Sequence, residues 1–160
     1  VILEDSTMRV VYRVLAFLIA IEVAIQAAVM VFAVAGLGIW VQEGGVLDKA
    51  TMESDEPAFP EGIGFFLHAM NGMYLIPLLA LLLLIFSFFA KVPRGVVYAL
   101  IVLGLVALQI FLGIFGHEAA FFGLLHGLNA LILFSVAFRA GIRAGRPGVE
   151  PSMTEEHAAA

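Results

Sequence analysis

Two six-residue stretches carry most of the chemistry-bearing side chains: Leu67-His68-Ala69-Met70-Asn71-Gly72 and Leu125-His126-Gly127-Leu128-Asn129-Ala130. Leucine, histidine and asparagine recur in register, with Met/Leu and Gly/Ala as near matches. Imidazole is a common metal ligand, and two imidazoles from facing helices can bind haem iron on both sides. Each Asn follows its His by three residues, on nearly the same face of a helix. Asn71 and Asn129 are therefore expected to bond between helices and support the histidines. Gly72 follows His68 by one turn, while Gly123 and Gly127 bracket His126. Small residues there let a flat macrocycle approach the backbone. The same Gly123 and Gly127 form a GxxxG pattern, which helix packing alone can explain. A hydrogen-bonded histidine pair fastening two helices is the simpler alternative. Haem ligation ranks above it because residue, depth and neighbours repeat together. A metal without porphyrin ranks third, since no carboxylate or third histidine has ligand spacing.

Other polar groups lie inside or beside apolar stretches. Ile25-Gln26 and Leu108-Gln109 form a second echo upstream of the two histidines. Glu22 and Gln26 stand four apart, on one helical face. Glu22 is the only carboxylate deep in an apolar run. A neutral Glu bonded to Gln or backbone is the plain reading, which is preferred. Glu22, Gln26 and Gln109 as an intramembrane polar or proton relay, or a quinol-facing group, is the functional one. His117, beside Glu118, reads as an interfacial solvated residue that could meet a haem propionate. His157 lies in a short polar tail, residues 147–160, that reads as disordered. Pro77 is expected to bend its helix by freeing the carbonyl one turn earlier.

The elements that must position these groups are membrane helices. The chain has 160 residues, of which 62% are apolar and only 13% charged, and a mean hydropathy of +1.07. Soluble domains carry about a quarter charged residues. Four apolar runs explain the deficit, over residues 14–41, 63–90, 96–115 and 119–138. Each is long enough to cross a hydrocarbon core of about 30 Å, which needs roughly 20 helical residues. The expected fold is all-α, a polytopic four-helix transmembrane bundle over 14–138, with flanks 1–13 and 139–160. A soluble enzyme, a nucleic-acid reader and a disordered chain all fit poorly. The net charge of −5 has no basic stripe. The absence of cysteine excludes disulfides, thiolate nucleophiles, Cys-ligated zinc, iron–sulfur clusters and covalent c-type haem.

Arg9, Arg13, Lys91, Arg94, Arg139, Arg143 and Arg146 fall on one side of such a bundle, and only Lys49 falls opposite. The positive-inside rule then puts both termini in the cytoplasm of a multi-pass cell-membrane protein. The acidic connection 42–62 faces outwards, as a solvated cap. No small-residue cleavage site closely follows the first run, so it reads as a retained span. The separations Gln26 to His68 and Gln109 to His126 are 42 and 17 residues. Their difference is close to the extra length of the 42–62 connection. The chain therefore reads as two pseudo-repeated helical hairpins, related by an axis along the membrane normal. Both histidines fall one to two turns inside the outer end of a span, roughly 6–11 Å below its start.

These residues resemble one half of a heme A synthase, a family built from two four-helix halves with haem-ligating histidines on the second and fourth helices. The matching positions are His68 and His126, and Leu108-Gln109-Ile110-Phe111-Leu112-Gly113 resembles the family's Gln-x-x-Leu-Gly stretch. The family's Glu before the second-helix histidine and Arg after it are Phe65 and Ala69 here, and its outer cysteines are absent. The resemblance implies a b-type haem scaffold and not the synthase reaction. The chain is also similar to small four-helix membrane proteins of actinobacterial type, a likeness that implies no chemistry.

The residues together lead to the expectation of a membrane b-type cytochrome with one haem b between His68 and His126. It would transfer single electrons in the outer half of the bilayer, with a quinol or another redox subunit as partner. The alternative is a non-catalytic accessory subunit of a larger membrane complex, without haem. An oligomer or complex fits either reading, and an electron-transfer role is expected ahead of a stand-alone enzyme.

Overall fold

The apolar runs are helical because leucine and alanine, both strong helix formers, are their commonest residues and few polar side chains compete with the backbone for hydrogen bonds. The computed structural model describes residues 2–54 and 56–145. Arg146, the tail 147–160 and His157 lie outside the described residues. The first helix, α1 (Ile2–Gln42), is continuous over 41 residues. At 1.5 Å per residue it is about 60 Å long, twice the hydrocarbon thickness. A one-turn helix, α2 (Lys49–Met52), and a 3-10 turn (Pro60–Gly62) lie in the acidic connection. The second long helix comes in three pieces: α3 (Ile63–Met70), a π-helical segment (Asn71–Leu75) and α4 (Ile76–Ser87). Two more follow, α5 (Gly95–Phe115) and α6 (Ala120–Ala144). Among the described residues there is no strand. Four helices are long and apolar enough to cross a membrane: Ser6–Gln42, Pro60–Ser87, Gly95–Phe115 and Ala120–Ala144.

α1 packs against α3, α4 and α6, and α5 packs against α4 and α6. The α3–α4 helix and α6 are therefore diagonal partners across the bundle. The break in the second helix has a local cause. Pro77 has no N–H to offer one turn back, and the preceding Ile76 N–H bonds to Asn71 O, five residues earlier. The expected proline disturbance takes the form of a widened turn.

The tightly packed core lies at one end. It comprises Tyr12, Leu15, Ile19 and Val23 of α1, Ile76, Ala80 and Leu83 of α4, Ala99, Val102 and Val106 of α5, and Leu133, Ala137 and Ala140 of α6. Tyr12 is fully buried and donates to Gly95 O (3.0 Å), bolting α1 to the start of α5. Gly141 lets α6 close on α1, since a Cβ there would stand 2.9 Å from the Phe17 ring. At the other end few helical residues are buried, among them Gln26, Ala33, Gly64, Leu112 and Asn129. There α3 packs chiefly on α1, with Gly64 against the backbone of Val29. The bundle is closed at one end and open at the other.

Candidate functional site

The open end holds the repeated side chains. On α1, Gln26 Nε2 donates to His68 O (2.9 Å), and Gln26 O faces His68 Nδ1 (3.2 Å). On α5, Gln109 Nε2 donates to His126 O (3.0 Å), and Gln109 O faces His126 Nδ1 (3.0 Å). The same two-bond clasp thus occurs within each hairpin. A carbonyl oxygen can only accept, so Nδ1 carries a proton in both rings, and in the neutral imidazole Nε2 then keeps its lone pair. The glutamines therefore select a tautomer as well as a position.

The two rings meet across the diagonal, with centroids 6.0 Å apart and planes tilted by 55°. Two imidazoles ligating one ion at about 2 Å from each nitrogen place their centroids roughly 6 Å apart. Both rings are half-buried. Among the described residues, no group of three or more His, Asp or Glu side chains gathers as metal ligands.

The Asn residues diverge. Asn129 is buried and its Nδ2 donates to Gln109 Oε1 (2.6 Å) and Leu105 O (2.9 Å), so it braces the second clasp. Asn71 Nδ2 instead donates to Glu22 Oε2 (2.6 Å). Glu22 stands four residues before Gln26, where Leu105 stands before Gln109. Glu22 supplies an acceptor where the second hairpin has a leucine, and Asn71 turns to it and away from the amide oxygen of Gln26. Two buried acceptors, Gln26 Oε1 and Asn71 Oδ1, are left without a partner. Glu22 thus bonds Asn71 and not the expected Gln26 or backbone.

The glycines also divide. A Cβ on Gly72 would stand 2.9 Å from Gln26 Nε2, so this glycine makes room for the first clasp. Gly113 does the same for the second, its Cβ position being 3.1 Å from His126 Cε1. In the sequence Gly113 stands out only as part of the family-like stretch, though its spacing of four from Gln109 is a one-turn signal. Gly123 and Gly127 face open space. His117 is exposed in the turn after α5, and among the described residues its ring makes no hydrogen bond. Phe111, Phe115 and Phe122 form an aromatic cluster where α5 and α6 meet, with centroids 4.5–6.4 Å apart.

Comparison with protein-family models, curated proteins and solved structures found no match.

Proposed function

We propose that this chain is a membrane b-type cytochrome-like protein that holds one haem b between His68 and His126. The observation that carries the reading is the pair of clasps: each imidazole has Nδ1 on a backbone carbonyl and Nε2 unshared, with ring centroids 6.0 Å apart. Metal-ligating histidines characteristically donate the other ring N–H to such a carbonyl, which fixes the tautomer and raises ligand basicity. Two protein ligands suffice for a macrocycle that brings its own four nitrogens, whereas a bare ion would need more. Bound there, haem would supply a one-electron iron couple. His68 and His126 would hold the iron, Gln26 and Gln109 would orient the rings, and Asn129 would brace Gln109. The open space beside Gly123 and Gly127 would admit the macrocycle edge.

The reading takes the four apolar helices as spans of the cell membrane, with both termini in the cytoplasm because seven of eight basic residues share that end. The site would then lie in the outer half of the bilayer, where His117 could meet a haem propionate and a quinol or another redox subunit could serve as electron partner. Protein purified after expression with haem available should show the absorption of low-spin bis-histidine haem. His68→Ala and His126→Ala should each abolish that spectrum. A haem-free wild-type preparation overturns the reading.

One observation favours a haem-free accessory subunit. The clasps tie α1 to α3 and α5 to α6 without any ligand, which suits histidines used only as fasteners. Such a subunit co-purifies with a larger complex and carries no chromophore.

A further inference from the structure

The closed end holds a second polar arrangement, far from the histidines along the helices. Arg139 Nε donates to Tyr98 Oη (3.1 Å), and the Arg143 guanidinium stands 5.4 Å from the centre of the same ring. One phenol on α5 thus positions two guanidiniums from successive turns of α6. With Nε engaged, the exposed Arg139 still has its two Nη groups to donate, and these match phosphate oxygens. Among the described residues neither arginine is in an ion pair; the pair seen there, Lys49 with Glu53, is in the acidic connection. Like charges one turn apart repel unless an anion sits between them.

The adjoining turn adds to the case. Lys91 (φ 49°) and Arg94 (φ 60°) both adopt the left-handed conformation that glycine or asparagine takes more cheaply. Both side chains add positive charge at this end of the bundle. On the same helical faces, further into the bundle, lie the exposed apolar residues Ile101, one turn after Tyr98, and Ile132, two turns before Arg139. A cationic fork at the end of two apolar helices, continuous with a greasy strip, has the polarity of a phospholipid: phosphate above, acyl chain below.

We propose that Arg139, Arg143 and Tyr98 form a binding site for the phosphate of an anionic lipid. The proposal rests on the helices being membrane spans and not on haem. The test uses the full chain in nanodiscs of phosphatidylcholine, with or without phosphatidylglycerol. Thermal unfolding is recorded in each, and retained lipid is counted by native mass spectrometry. Phosphatidylglycerol should raise the wild-type midpoint by roughly 3 °C or more and remain bound after detergent extraction. Arg139→Gln with Arg143→Gln should erase both effects. Tyr98→Phe, which removes one oxygen and keeps the ring, should weaken retention several-fold and carries the test if the double variant misfolds. Equal midpoints in the two lipids, or equal stabilisation by inorganic phosphate in phosphatidylcholine discs, would overturn the assignment. Failure to enter discs at all would instead refute the membrane reading.

Discussion

Gln109 and Gln26 make the same two bonds, yet their neighbours leave them unequally satisfied. Gln109 Oε1 is paired with Asn129, whereas Gln26 Oε1 is buried and alone. Removing Asn129 therefore strips a partner from Gln109, and Asn129→Ala should cost about 1–3 kcal/mol in thermal or denaturant unfolding. Glu22→Leu copies the second hairpin, where Leu105 occupies that place. Asn71 is then free to turn to Gln26 Oε1, so this substitution should leave stability unchanged or raise it by about 1 kcal/mol. A loss above that size would show that the carboxylate–amide bond is worth more than the orphaned acceptors cost. The histidines, glutamines and asparagines were legible because identical residues recur at fixed offsets. Their divergent bonding was not, because Glu22 breaks the echo at a position outside the matching stretches.

The π-helical segment is the element on which the site's geometry turns. It inserts an extra residue between Pro77 and His68 and so sets the face that α3 turns towards the diagonal. A shift of one residue rotates a helix by about 100°. Pro77→Ala restores an N–H, and a regular turn there should swing His68 away from His126. Haem binding is expected to fall at least tenfold while circular dichroism keeps its helical amplitude. Proline gave the location of this disturbance in the sequence. It could not give the register, since an apolar run without clear amphipathicity does not say which face is inside. The short α2 was missed as well, although Asp48 before Lys49-Ala50-Thr51 is an N-cap signature. The Thr51 N–H and hydroxyl hold the exposed Asp48 carboxylate below the usual range. Its contribution is present above the ordinary carboxylate range and fades as acid protonates it. Amide exchange at Thr51 should accordingly quicken at low pH, and in Asp48→Ala at every pH.

At the scale of the molecule, four apolar runs were enough to expect a helical bundle, but hydropathy is blind to which end of a bundle is sealed. That depends on side-chain fit: Tyr12 against Gly95, and Phe17 against Gly141. The sidedness assigned to the spans has its own check. A cysteine at Ser54 should react with an impermeant reagent on intact cells, and one at Thr7 should not; the reverse pattern inverts the topology. Closure at one end only also bears on how the protein is made. Helices stitched together at their sealed end do not depend on the open end for their order, so under the proposed haem reading assembly need not wait for the cofactor and loading would be a later encounter, controlled by supply. Hydrogen exchange should then slow on haem addition around residues 63–75 and 107–130, while the stretch from Leu133 to Ala144 is already protected in the unfilled protein. Under the proposed haem reading, a chain built this way can be stockpiled before the cofactor arrives.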